Sequence, residues 1–330
     1  MEKKKNDFIA QGSILAIASI LVRVMGMIYR IPMTAIIGDK GNGFYSYAYS
    51  VYTILLLLSS YSLPLAVSKM VSAKAQLGQW RNVKRVFICA IAFAIGIGTT
   101  FGLIVLIGAQ FFTRVFFHSE LAAIALRFMA PTILIMALLG VFRGFFQGLQ
   151  NTLPTAVSQI VEGLINAIMS VVFAYFLFDF GHGMDVASGT TDLGYAWGAA
   201  GGAIGTGAGA LAGLIFCFIL FVAYRKILAV NISRDKTGTQ QEYGDIFRLM
   251  LSIALPVILS TALYNLIELV DGSLFNNIMA SKGMEDVKDS MWGAYNAKAL
   301  LLVHIPVSIS SAMAVSLVPT LTAAYALGDE

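Results

Sequence analysis

Long apolar segments separated by short polar ones are the dominant pattern along this chain. Eight stretches have the length of roughly 20 residues that an α-helix needs to cross the hydrocarbon core of a bilayer, and they carry few charges. They run over residues 12–37, 45–72, 86–108, 122–147, 154–178, 195–224, 249–279 and 294–326. The pattern therefore predicts an all-α polytopic membrane protein.

Composition supports this class and argues against others. Hydrophobic residues make up 58% of the 330 positions and charged residues 12%, whereas soluble domains carry about 25% charged residues. The net charge is +4, but the basic residues lie mostly in short loops, so no nucleic-acid partner is expected. No phosphate-binding loop, zinc spacing or nucleophile elbow occurs in the sequence. We therefore expect neither enzyme activity nor a bound cofactor.

Basic residues fall unevenly on the two sides of the predicted membrane. One side receives 14 of them and the other side receives 4. The larger group is Lys3, Lys4, Lys5, Lys69, Lys74, Arg81, Lys84, Arg85, Arg143, Arg225, Lys226, Arg234, Lys236 and Arg248. The smaller group is Lys40, Arg114, Lys282 and Lys288. Because cytoplasmic loops carry the excess of Lys and Arg, the N-terminus is predicted to be cytoplasmic. Segment 179–192 has no Lys or Arg and is predicted to be an external loop.

A weak internal repeat suggests two lobes. Residues 41–78 can be laid on 291–328 without a gap, and the copies are separated by an even number of spans, so they share one orientation as parallel repeats do. The identical pairs are Gly43/Gly293, Tyr45/Tyr295, Ser60/Ser310, Ala73/Ala323, Leu77/Leu327 and Gly78/Gly328.

The repeat divides the chain into three predicted parts. Residues 1–230 form a complete six-helix lobe, residues 231–245 form a cytoplasmic connector, and residues 246–330 form the first two helices of a second lobe. The polar part of the connector, 231–242, is expected to be flexible. A second lobe of the same size needs about four more helices, so the chain is expected to be the N-terminal part of a longer transporter.

Several short motifs resemble a known family of membrane transporters. Segment 23–32, RVMGMIYRIP, followed by 38–45, GDKGNGFY, resembles the first helix and loop of the MOP flippase superfamily. Segments 62–69, 142–148 and 154–162 resemble the same family. Within it, the chain is most similar to the polysaccharide-biosynthesis, stage V sporulation protein B branch, which is related to the lipid II flippases. The resemblance implies a MATE/MOP-like helical bundle with a cavity between two lobes, alternating access and no use of ATP.

The function implied by this resemblance is a secondary transporter of the bacterial cytoplasmic membrane. Its substrate would be a polyprenyl-diphosphate-linked oligosaccharide or peptidoglycan precursor, and its other partners would be membrane lipids. A multidrug or cation antiporter of the same superfamily is an alternative, but a cation exporter gains nothing from intramembrane arginines. A membrane-embedded glycosyl- or acyltransferase is an alternative of another class, but the external loops are too short for its catalytic groups.

Three basic residues inside the spans are candidates for substrate binding. Arg23 and Arg30 are seven residues apart, so they lie within about 20° of each other on one helix face. A guanidinium matches phosphate oxygens bidentately, although either arginine can instead form an internal pair or extend to the interface. The resembling flippases have a basic residue in the eighth helix, and Lys298 stands near that position. Both a cavity role and an interfacial role are open for Lys298.

Three acidic residues inside the spans are candidates for coupling to Na⁺ or H⁺, namely Glu162, Glu268 and Asp271. Glu268 and Asp271 are three residues apart and share a helix face with Asn265. Oxygen-rich clusters of this kind bind Na⁺ or relay protons. The alternative is a structural ion pair with Arg23 or Arg30.

Small residues in the sixth span predict close helix packing. The glycines follow one another in four-residue steps, at Gly201, Gly205, Gly209 and Gly213. Such a stripe lets two helix backbones approach each other in a membrane.

Overall fold

The described part of the chain is a bundle of long α-helices, as the hydropathy pattern predicts. A computed structural model describes residues 17–300 together with 302, 303 and 306. The helices are α1 Ile17–Ile28, α2 Arg30–Leu56, α3 Leu63–Gln76, α4 Trp80–Phe117, α5 Ala122–Gly148, α6 Leu153–Ser188, α7 Leu193–Ser233, α8 Tyr243–Ser281 and α9 Glu285–Ala294. Single π-helical turns follow α2 at Leu57–Tyr61 and α9 at Tyr295–Ala299. The eighth predicted span lies largely outside the described residues.

Six helical segments of the described region are long and apolar enough to cross a membrane. α1 continues into α2, because the backbone N–H of Tyr29 bonds to Met25 and the N–H of Met33 bonds to Tyr29. The break between the first two spans is at Gly38, whose φ of 62° and ψ of −175° interrupt α2. Only glycine adopts such a backbone conformation without strain. A single residue therefore replaces the loop expected between the first two spans.

The predicted external loop 179–192 is mostly helical, which corrects the sequence interpretation. α6 continues to Ser188 and α7 begins at Leu193. The carboxylate of Asp185, buried in the last turns of α6, accepts the backbone N–H groups of Leu193 and Gly194 at 3.0 and 2.9 Å. These bonds satisfy donors that the start of a helix leaves unpaired. Hydropathy shows that this segment is polar, but it does not show that the Asp185 side chain bonds to the start of α7.

The glycine stripe of α7 packs closely against α6, as predicted. A Cβ atom added at Gly201 or Gly205 would collide with the α6 backbone, and one at Gly209 would lie 2.6 Å from the carbonyl oxygen of Glu162. The absent side chains therefore let the two helices run in direct backbone contact.

The connector between α7 and α8 is hydrogen-bonded to the N-terminus of α4. Asp235 accepts the backbone N–H of Arg81 at 2.9 Å, and the buried Asn82 accepts the N–H of Gln241 at 3.0 Å. The Arg81 N–H, with the hydroxyl and N–H of Thr237, lowers the pKa of Asp235 to about 2. The connector, which was expected to be flexible, thus has polar partners distant in sequence, and its flexibility stays a prediction.

We expect an impermeant thiol reagent applied to intact cells to label a cysteine at Val186 but not one at Arg234. The expectation follows from the uneven distribution of basic residues. Val186 is 77% exposed near the end of α6, whereas the neighbouring Asp185 is only 4% exposed and would label poorly. Cys89 and Cys217 are first replaced by alanine. Labelling at position 234 but not at 186 would reverse the predicted topology.

Candidate functional site

A cavity of about 210 Å³ lies between α2, α8 and the π-helical turn that follows α9, and we call it the polar cavity after the charged and polar side chains in its lining. Arg30 and Glu268, two of the charges singled out from the sequence, both line this cavity. The other polar lining residues are Tyr29, Asn42, Tyr45, Ser46, Tyr49 and Asn296. The structure thus brings a candidate substrate ligand and a candidate coupling acid to one site from helices far apart in sequence.

A second cavity, of about 310 Å³, borders the first and is almost entirely apolar. Its lining includes Ile31, Ala297 and Leu302, together with Lys298 and, again, Arg30. Arg30 is therefore shared by a polar space and an apolar space. Its guanidinium can bind an anionic group at the boundary between them.

Two other predicted ligands have different environments. Arg23 lies on α1, is largely uncovered by protein, and lines neither cavity. Lys298 lines the apolar cavity and forms an ion pair with Asp39, with its Nζ 2.8 Å from the carboxylate. Substrate binding by Arg23 and by Lys298 stays a prediction.

Glu162 has an ion-pair partner that the sequence analysis missed, and its role in ion coupling stays a prediction. Arg143 of α5 donates from Nη2 to the Glu162 carboxylate at 2.6 Å and from Nε to the Ser158 hydroxyl at 2.8 Å. Arg143 is only 9% exposed. The sequence analysis counted it as a loop residue because it lies near the end of a span, whereas the predicted partners were Arg23 and Arg30. Its position inside span 122–147 was the available signal.

The two acids of α8 do not share one cavity. Glu268 lines the polar cavity, whereas Asp271 is exposed and lines neither cavity. Asn265 donates its side-chain amide to Thr261 of its own helix at 2.8 Å. The role of these acids in ion coupling therefore stays a prediction, with Glu268 the member placed beside Arg30.

α2 and α9 are in close backbone contact next to the residues Asn42 and Asn296, which line the polar cavity. A Cβ atom added at Gly43 would collide with the carbonyl oxygen of Asp289, and one added at Gly293 would collide with that of Asp39. We call this contact, formed by these four residues, the seam. Gly43 and Gly293 are aligned in the repeat, and the two aspartates precede them by the same spacing. The reciprocal contacts are what an approximate two-fold relation between parallel repeats predicts.

A buried lysine connects α9 to α4 beside the seam. Lys288 is 3% exposed, and its Nζ donates to the carbonyl oxygens of Phe117 and His118 at 2.9 and 2.7 Å. These carbonyls belong to the C-terminal end of α4, where a cation also interacts favourably with the helix dipole. Sequence analysis counted Lys288 among the external loop residues, because charge alone does not show burial.

Comparison with known proteins places this architecture in a family. The family model described as polysaccharide biosynthesis protein matches residues 8–324. The lipid II flippase MurJ of Bacillus subtilis (strain 168) is 26% identical over 328 residues, which cover 96% of this chain and 58% of that protein. Stage V sporulation protein B of the same organism is 25% identical over 323 residues, again covering 96% of this chain and 58% of the relative. The chain thus spans less than two thirds of the length of these relatives.

A solved structure supports the fold independently. A multidrug resistance MATE family transporter of the MOP superfamily, in an outward-facing conformation, superposes with a TM-score of 0.61 at 16% identity. The match covers 97% of this chain and 66% of that one. The fold is therefore a MATE/MOP-like helical bundle in a multi-pass membrane protein. Because the family model matches most of the chain, this chain belongs to the polysaccharide biosynthesis protein family.

Proposed function

We propose that the protein flips a polyprenyl-diphosphate-linked oligosaccharide or peptidoglycan precursor across the cytoplasmic membrane. The observation that carries this proposal is the position of Arg30, which lines a polar cavity and an apolar cavity at once. The proposed substrate has three parts in the matching order: a polar sugar for the polar cavity, an anionic diphosphate for Arg30, and an apolar chain for the apolar cavity. The name of one relative, a lipid II flippase, agrees with this substrate class.

The physical problem is the passage of the head group through hydrocarbon. Sugar hydroxyls and a diphosphate lose their hydration there, and each unpaired polar group costs several kcal/mol. The polar cavity supplies partners for the head group, while the apolar cavity receives the chain next to the diphosphate. Arg23 lies about 10 Å from Arg30 along the same helix face, toward the predicted cytoplasmic side. In this proposal the diphosphate meets Arg23 first and Arg30 next.

Transport also requires the cavity to change the side on which it opens. In this proposal the backbone contact at the seam and the Asp39–Lys298 ion pair close the predicted external end. Alternating access therefore requires α2 and α9 to separate at the seam while the cytoplasmic side closes. Entry of Na⁺ or H⁺ at Glu268 or Asp271 would supply the driving force, and Glu268 is placed to act directly because it lines the same cavity as Arg30.

Arg30→Ala is expected to reduce flipping about tenfold or more, with Arg30→Lys in between. Lysine keeps the charge but loses the bidentate fork, whereas alanine loses both, and a hydrogen bond to a charged group is worth roughly 1.5–3 kcal/mol. Arg23→Ala is expected to impair flipping in the same assay. The measurement follows a fluorescent undecaprenyl-diphosphate-linked N-acetylglucosamine in proteoliposomes.

Arg127→Ala serves as the matched control, since Arg127 is an exposed arginine on α5 that lines neither cavity. Normal flipping by folded Arg30→Ala would contradict the proposal. Efflux of a lipophilic cation such as ethidium by the wild type, without flipping of the sugar lipid, would instead favour the multidrug antiporter.

A further inference from the structure

A row of tyrosine rings forms one wall of the polar cavity. Tyr45 and Tyr49 lie one turn apart on α2, with ring centroids 5.8 Å apart and planes within 18° of each other. Tyr29, between α1 and α2, lines the same space. Tyr49 is 37% exposed, although it belongs to a helix with a mostly buried face. Tyr49 therefore stacks on Tyr45 and keeps part of its own aromatic surface uncovered.

Hydrogen-bond acceptors accompany this aromatic wall. Asn42 and Asn296 donate their amide NH₂ groups to carbonyl oxygens of their own helices, those of Gly38 and Trp292, at 2.8 and 3.0 Å. The amide carbonyl oxygens are then the acceptors that these two asparagines can offer a ligand. Ser46 adds a hydroxyl to the lining. The cavity thus combines flat aromatic faces with acceptors for hydroxyl or amide N–H groups.

We propose that this cavity is a subsite for one pyranose ring, the sugar attached directly to the diphosphate, with Tyr49 as its stacking platform. The inference rests on the proposed function and names the part of the substrate that the cavity recognises, its first sugar. A pyranose has an apolar C–H face that packs on an aromatic ring, and its hydroxyls donate to amide oxygens such as those of Asn42 and Asn296. Arg30 lies in the same lining, so the diphosphate and the first sugar are held side by side.

The size and charge of the cavity narrow the choice of ligand. Its volume of about 210 Å³ is below the roughly 300–1,000 Å³ typical of pockets for drug-sized molecules, so it accommodates one ring and not a whole oligosaccharide. Aromatic walls also bind organic cations. The lining holds one guanidinium, that of Arg30, and one carboxylate, that of Glu268, so it has no net charge that attracts a cation, and Arg30 supplies a partner for an anion next to a neutral ring.

The test compares the binding of two lipids to the full chain in nanodiscs. The probes are undecaprenyl diphosphate and undecaprenyl diphosphate carrying one N-acetylglucosamine. The wild type is expected to bind the sugar-bearing lipid at least about fivefold more tightly, the size of an aromatic contact of about 1 kcal/mol. Tyr49→Leu should bring this ratio close to one and leave the affinity for the bare diphosphate lipid within about twofold.

Tyr175→Leu is the matched control, because Tyr175 is 61% exposed on α6 and lines neither cavity. It should keep the wild-type ratio. If Tyr49→Leu does not fold, Asn296→Ala is expected to lower the same ratio. A folded Tyr49→Leu with an unchanged ratio overturns the subsite. Equal binding of both lipids by the wild type overturns the subsite but not the flippase, whereas binding of neither lipid overturns both.

Discussion

Gly293→Leu is expected to hold the predicted external end of the cavity open and to lower flipping to less than a tenth of the wild-type rate. The Cβ atom of any residue at this position would overlap the carbonyl oxygen of Asp39, which is backbone and cannot move aside as a side chain can. Overpacking costs about 1–3 kcal/mol in ordinary cores and sometimes more. A penalty of about 3 kcal/mol that acts only on the closed seam shifts the open-to-closed ratio more than a hundredfold.

The measurement is the reaction of a cysteine introduced at Ser46, a residue of the cavity lining, with an impermeant reagent added from outside. Labelling should be slow with glycine at 293 and fast with leucine. Gly43→Leu should have the same effect, because the contacts of the two glycines are reciprocal. Gly183→Leu near the end of α6 is the control, since a Cβ atom there has no neighbour within 4 Å. Slow labelling and normal flipping in Gly293→Leu would show that the seam does not control access.

The spans could be predicted from sequence because a bilayer leaves the backbone few options. Every N–H and C=O group in hydrocarbon must be paired internally, so an apolar stretch of sufficient length forms a helix. The same argument does not locate helix ends in water. α6 therefore continues to Ser188 through polar residues, held by the bonds of Asp185 to α7.

The candidate site was only partly predictable. A charge inside a span marks a functional or paired residue, and this argument identified Arg30 and Glu268. Their location in one cavity depends on the packing of α2 against α8, which no local pattern encodes. The aromatic wall could not be predicted from the sequence for a similar reason, because Tyr45 and Tyr49 resemble ordinary packing residues in an apolar helix.

Burial of charge was the property least visible in the sequence. Lys288 and Arg143 both lie near predicted span ends, where basic residues usually contact water and headgroups. Lys288 is instead buried against the carbonyl oxygens that end α4, and Arg143 is buried against Glu162. The partner that accompanies each buried charge belongs to another helix, so the sequence around Lys288 or Arg143 does not show it.

The Arg143–Glu162 pair leads to the second large expected effect, a loss of stability of about 3 kcal/mol in Glu162→Ala. Removing one partner of a buried ion pair leaves the other charge without compensation, which typically costs about 3–5 kcal/mol. The lower value is expected because the Glu162 side chain is 25% exposed. Unfolding of the purified protein in detergent, followed by a denaturant titration, measures the loss.

Two further variants separate this ion pair from a general loss of charge. The double variant Arg143→Met with Glu162→Leu should recover most of the stability, because it removes the uncompensated charge together with its partner. Glu120→Ala breaks an exposed ion pair, in which the side chain of Arg114 is 69% exposed and that of Glu120 is 54% exposed. Its loss should lower the free energy of unfolding by less than about 1 kcal/mol. Glu162→Ala with wild-type stability would contradict a structural role for the pair. If the double variant folds but its flipping no longer responds to a Na⁺ or H⁺ gradient, the Arg143–Glu162 pair acts in ion coupling. If the folded double variant keeps the response, coupling must reside elsewhere, and Glu268, in the cavity with Arg30, becomes the acid to change next.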